Sequence, residues 1–146
     1  MDIYSIGFTK TTAEGFFTRL IDNDVERVLD VRLNTSSQLA GFAKGRDLPY
    51  FLSALGDIAY EHEQLLCPSA EILNSYKKRR DMPWSEYEER FMALMDERRI
   101  AERLDRGSFE RRTALLCSED TAEHCHRRLV IEYLGHHWPG VRGVHL

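Results

Sequence analysis

The sequence predicts an α/β fold: one domain over residues 1–146, with a mostly parallel central sheet of about five strands and helices on both faces. Three observations carry this. Short apolar runs alternate with stretches whose apolar residues recur at helical spacing. The runs lack polar alternation, as strands covered on both sides require. Across 146 residues no repeat, low-complexity tract or Pro/Gly-rich linker divides the chain.

The elements follow in order. Ile3-Tyr4-Ser5-Ile6-Gly7 is an apolar run ending at glycine, the pattern of a buried strand. Thr11 or Thr12 caps a helix to about Asn23, with Phe16, Leu20 and Phe17 inward. Residues 27–32 form a second strand, Leu33 to Lys44 a long loop, Asp47 to Leu55 a short helix and Ile58-Ala59-Tyr60 a third strand. A helix is expected around residues 70–79, and Pro83 opens another. Tyr87, Phe91, Leu94, Met95, Ala101 and Leu104 then recur at helical spacing, predicting one amphipathic helix to about Asp105. Residues 113–117 form a fourth strand. Asp120 and Glu123 suggest a capping box for a helix from about Thr121 to Leu134, stopped by Gly135, and residues 141–146 close with a last strand. The arrangement is Rossmann-like, and right-handed crossovers place the C-terminal strand ends on one rim, where ligands of such sheets bind.

Composition narrows the classes. Net charge is −4, against a protein that coats nucleic acid by electrostatics alone. Yet 16 of 20 basic residues are arginine, and Lys77-Lys78-Arg79-Arg80 is a compact basic run. Base composition of the gene or recognition of phosphate and carboxylate both account for the arginines. By base rate the basic run is a solvated helix end, and contact with nucleic acid is the alternative. No apolar stretch approaches a membrane span, no signal peptide is evident, and three cysteines read as reduced thiols. A cytoplasmic protein without membrane association is the expectation.

The rim is expected to carry Gly7 and Thr9 from strand one, Asp30, Arg32 and Ser37 from strand two and its loop, and Cys117 and Glu119 from strand four. Asp30 and Arg32 lie two apart on a strand and share a face. They read either as an ion pair closing the strand or as an anion clamp with its orienter or general base. Cys117 and Cys125 can meet near a helix start, where a thiol assisted by His126 would be nucleophilic, although buried cysteine is often packing alone. Arg127, at the edge of the helix's apolar stripe, is expected to reach the pocket and a carboxylate or anion, while Arg128 faces solvent. Without paired C-x-x-C spacing, and with Cys125 and His126 adjacent, no zinc site and no cofactor are expected. A phosphate loop, G-x-G-x-x-G and G-x-S-x-G are all lacking, which excludes the commonest nucleotide kinases, dinucleotide oxidoreductases and esterases.

Several blocks together resemble the bacterial and archaeal domain-of-unknown-function 488 family: Tyr4-Ser5-Ile6-Gly7, Val28-Leu29-Asp30-Val31-Arg32, Ser37, Phe42 and Ile58-Ala59-Tyr60. Leu115-Leu116-Cys117-Ser118-Glu119, followed by Cys125-His126-Arg127, is the most specific block, and Gly143-Val144-His145 closes the match. The resemblance implies a small α/β domain with polar residues at one edge. This chain departs from the pattern with Phe8 and Thr9 where the family has His and Ser, Thr35 in place of Pro, and Leu66-Cys67 in place of a glycine pair.

The functional expectation is a small hydrolase or transferase acting on a phosphate-bearing substrate such as a nucleotide or nucleic-acid end. Arg32 and Arg127 would hold the anion near Gly7, Thr9, Ser37 and Cys117. Glu119 or Asp30 would move protons, assisted by Cys125 or His126. Two alternatives stand beside it: a non-catalytic module binding nucleic acid or protein, and a thiol-based sulfur or redox protein using Cys117 and Cys125.

Overall fold

A computed structural model describes residues 1–36, 40–119 and 121–146; the expectations placed on Ser37 and on Asp120 as a cap lie outside these described residues. The strands are β1 (Asp2–Ile6), β2 (Arg27–Asp30), β3 (Ala59–His62), β4 (Thr113–Leu116) and β5 (Arg142–His145). They form one sheet in the order β3-β2-β4-β1-β5, with every pair parallel. The α/β class read from the sequence is therefore the class observed. β4 inserts between β1 and β2, so these three strands are contiguous.

Alternation along the strands divides the core in two. Ile3, Leu29 and Leu115 point to one face, with Val31 and Cys117 continuing that side past the strand ends. They pack against the helices α4 (Trp84–Glu97), α5 (Ile100–Arg103) and α6 (His126–His137). Ile6, Val28, Ala114 and Leu116 point to the other face and meet α1 (Ala13–Asp22) and α2 (Leu48–Gly56). Thr12 caps α1 by accepting a hydrogen bond from the Gly15 amide at 3.0 Å. Helix α3 (Ala70–Asn74) runs into a π-helical turn over Ser75–Arg79, which carries the basic run to the rim side.

Three boundary expectations are corrected. The amphipathic stretch to Asp105 is two helices, because Arg99 takes a left-handed conformation (φ 57°) and re-aims the chain so that Ile100 is buried. α6 begins at His126, not near Thr121, because Cys125 is extended (φ −134°, ψ 139°) as its N-cap. Gly135 lies inside α6, which ends at His137. The cost of an interior glycine, about 1 kcal/mol, is outweighed by burial of Tyr133, Leu134 and Trp138 around it. Among the described residues no helix is long and apolar enough to cross a membrane.

Candidate functional site

A cavity of about 430 Å³ opens beyond the C-terminal ends of β2 and β4, between them, the π turn, α4 and the start of α6. Arg32, Cys117, Cys125, His126 and Glu119 line it. The same cavity has an aromatic wall. Trp84 stacks on Tyr87 (5.1 Å between centroids) and on His124 (5.0 Å), and Tyr76 packs on Tyr87 at 4.9 Å. Lys77 and Lys78 stand on the wall as well, and Lys77 pairs with Glu119. A second hollow, lined by Tyr76, Lys77, Arg80 and Met82, shares two of these residues.

Asp30 and Arg32 form the ion pair that burial demands. Arg32 Nε donates to Asp30 Oδ1 at 2.9 Å and Nη2 to Oδ2 at 2.7 Å, while the Tyr60 hydroxyl adds a bond to Oδ2 at 2.6 Å. The Phe8 ring lies 5.2 Å from the guanidinium carbon and, with Asp30, confines it. Burial opposes the charge on Arg32, and Asp30 more than restores it; burial and Asp30 both push the Tyr60 phenol up. Asp30 is fully buried behind Arg32 and does not line the cavity, so it orients the arginine instead of meeting a substrate. Arg32 Nη1 is buried and without a hydrogen-bond partner among the described residues.

Gly7 and Thr9 are not on the cavity wall either. A Cβ on Gly7 would sit 1.5 Å from the Glu119 carbonyl oxygen and 2.8 Å from Arg127 Nη1. Glycine is needed there so that the 118–119 backbone can cross close to β1. The Thr9 hydroxyl and amide donate to the Ser118 carbonyl and pin the same segment. Arg127, 1% exposed, donates to the Glu119 carbonyl at 2.6 Å and to Ser5 Oγ at 3.3 Å. The carboxylate expected for it is replaced by a main-chain carbonyl, and its role is to hold the loop between β4 and α6. Arg128 pairs with Glu88 and Glu132.

Cys117, Cys125 and His126 meet on the cavity floor, their sulfur and ring-nitrogen atoms all within 4.8 Å of one another. The adjacency of Cys125 and His126, which counted against a zinc site in the sequence, does not keep their side chains apart. One is an extended N-cap and the other the first helical residue, so their side chains converge. His126 Nδ1 is 3.5 Å from Cys117 Sγ, and Nε2 bonds the Val31 carbonyl at 2.7 Å. Arg127 Nη1 lies 3.7 Å from Cys125 Sγ. A hydrogen bond from the Cys125 thiol, then His126 and Arg127, draw the Cys117 thiol well below its ordinary range against the opposing effect of burial. Cys125, as donor in that bond and buried, is pushed up. Cys67 stands apart, bonded to the Arg32 carbonyl at 3.2 Å, with burial pushing its thiol up to about 12.

The sequence reading did not assign the aromatic wall to the site, and it weighed the lysines only as a basic run with nucleic-acid contact as the alternative. The signal available was the cluster Tyr76, Trp84 and Tyr87 immediately around the basic run. The family model described as "Domain of unknown function DUF488" matches residues 12–134. No curated protein and no solved structure matches the chain.

Proposed function

The chain belongs to the DUF488 family, and from its cavity we propose that it is a small hydrolase or transferase acting on a phosphate-bearing substrate, a nucleotide or nucleic-acid end. The observation that carries the reading is Arg32. Its guanidinium is clamped along one edge by Asp30, and Nη1 is left buried beside the cavity without a partner among the described residues. An unsatisfied buried donor costs about 1–3 kcal/mol, and more when charged. A phosphate oxygen entering the cavity relieves that cost.

The surroundings support a nucleotide over a bare anion. The cavity, about 430 Å³, lies in the range of roughly 300–1,000 Å³ typical of small-molecule sites. Tyr76, Trp84 and His124 offer faces for a base, and such stacking contributes about 1–3 kcal/mol per base. Lys77, Lys78 and Arg80 line the way toward the second hollow, where further phosphates of a nucleic-acid end would lie. To Glu119, on the wall and paired with Lys77, we assign the proton transfer. Three free thiols fit a reducing compartment such as the cytoplasm.

Calorimetric titration with adenosine and guanosine monophosphates, with a 5′-phosphorylated oligonucleotide and with inorganic phosphate tests this. The nucleotides or the oligonucleotide should bind more tightly than phosphate. Arg32→Lys, which keeps a cation beside Asp30 but loses the fork, should weaken binding at least tenfold. A folded wild-type protein that binds none of the nucleotide ligands below about 1 mM, a standard free energy near −4 kcal/mol, would refute it.

A further inference from the structure

We propose that Cys117, Cys125 and His126 bind one zinc ion, with the fourth coordination position open to the cavity. The inference deepens the reading of the cavity as a hydrolytic or transfer site and rests on it for the role of the metal. The binding itself stands on geometry alone.

Tetrahedral zinc with Zn–S of about 2.3 Å and Zn–N of about 2.0–2.1 Å sets its sulfur and nitrogen ligands about 3.5–3.6 Å apart, and two sulfurs about 3.8 Å apart. Cys117 Sγ and His126 Nδ1 are 3.5 Å apart, and Cys125 Sγ completes a triangle with no edge longer than 4.8 Å. The triangle therefore needs only small adjustment to close on an ion. Its outer contacts are those that orient a ligand set. His126 Nε2, 2.7 Å from the Val31 carbonyl, carries the ring proton and leaves the Nδ1 lone pair facing the sulfurs. Arg127 Nη1 stands 3.7 Å from Cys125 Sγ and suits a thiolate there. Two sulfurs and one imidazole favour zinc over magnesium, calcium or manganese, which prefer oxygen.

Three protein ligands rather than four is the pattern of catalytic zinc, whose remaining position takes water or substrate. All three ligands line the cavity, and so does Arg32, whose Nη1 has no partner among the described residues. In the hydrolytic case a metal-bound water gives one proton to Glu119, and the hydroxide adds to the substrate phosphorus. The P–O bond to the leaving group breaks, and the departing oxygen takes the proton from Glu119.

The test is metal analysis of protein purified without chelator, followed by reconstitution of reduced, chelator-treated protein with zinc or cobalt alone. The expected result is close to one zinc per chain. The cobalt form should show the intense visible bands of a tetrahedral site and a thiolate-to-cobalt charge-transfer band. Cys125→Ser and His126→Gln should each lower zinc affinity at least tenfold, while Cys67→Ser retains it. Fully reduced, folded wild-type protein that takes up neither ion stoichiometrically overturns the proposal. So does a cobalt spectrum lacking thiolate bands, which would leave Cys117 and Cys125 as a thiol pair. Nucleotide titration of the same samples separates the two readings: nucleotide binding without metal uptake sinks only the zinc site, and metal uptake without nucleotide binding sinks only the substrate assignment.

Discussion

Asp30→Ala removes the carboxylate that clamps Arg32 and leaves a guanidinium that is 4% exposed beside the Phe8 ring. Three hydrogen bonds to the carboxylate disappear with it from side chains, two from Arg32 and one from Tyr60. Breaking a buried pair in this way costs about 3–5 kcal/mol, since the remaining charge is uncompensated. The abandoned Tyr60 hydroxyl adds about 1 kcal/mol, because it is only half-buried and water can replace the carboxylate. The expected loss is therefore about 4–6 kcal/mol, a large part of the stability of a domain this size. Arg32→Met with Asp30→Ala removes both charges and should recover about half of that loss. Urea unfolding followed by circular dichroism reads both variants. A single-variant loss below about 1 kcal/mol, the range of an exposed pair, would refute the view that Asp30 exists to hold Arg32.

Three further outcomes follow from the same geometry. Gly7→Ala places a methyl group 1.5 Å from the Glu119 carbonyl oxygen; urea unfolding should show a loss of about 2–3 kcal/mol or more, and a change under 0.5 kcal/mol would contradict the close crossing. Trp84→Ala, at a half-buried wall position, should weaken nucleotide binding by about 1–3 kcal/mol with the circular dichroism spectrum preserved; unchanged affinity would exclude the wall from recognition. The Cys67 thiol, pushed up to about 12 and buried, gains a thiolate fraction only as pH rises toward that value. Iodoacetamide labelling read by mass spectrometry should therefore leave Cys67 unmodified at pH 8 in the folded protein, and rapid modification would show the site open.

The sheet was legible because buried parallel strands announce themselves as short, unbroken apolar runs, such as Val28-Leu29 and Leu115-Leu116. The start of α6 was not. It depends on Gly7, Thr9 and Arg127 fastening the Ser118 and Glu119 carbonyls across the sheet, contacts more than a hundred residues apart in the case of Thr9. Local capping patterns cannot report such a constraint. The break at Arg99 was hidden for a related reason, since helical periodicity continues through it while the left-handed residue turns the axis. At the site, strand-end position brings Arg32 and Cys117 to the cavity, and the helix start brings Cys125 and His126 there. Gly7 and Asp30 lie off its wall, because being near the rim does not say which face a residue occupies. The wall of Tyr76, Trp84 and His124 comes from three separate segments, and only tertiary packing brings them together.

The decisive measurement is a crystal structure with a nucleoside monophosphate bound. A phosphate oxygen should lie within about 3.2 Å of Arg32 Nη1, with the Asp30–Arg32 pair intact and the base against Trp84 or Tyr76. A nucleotide seated elsewhere, or one in the cavity whose phosphate leaves Arg32 Nη1 unbonded, would contradict the proposed function.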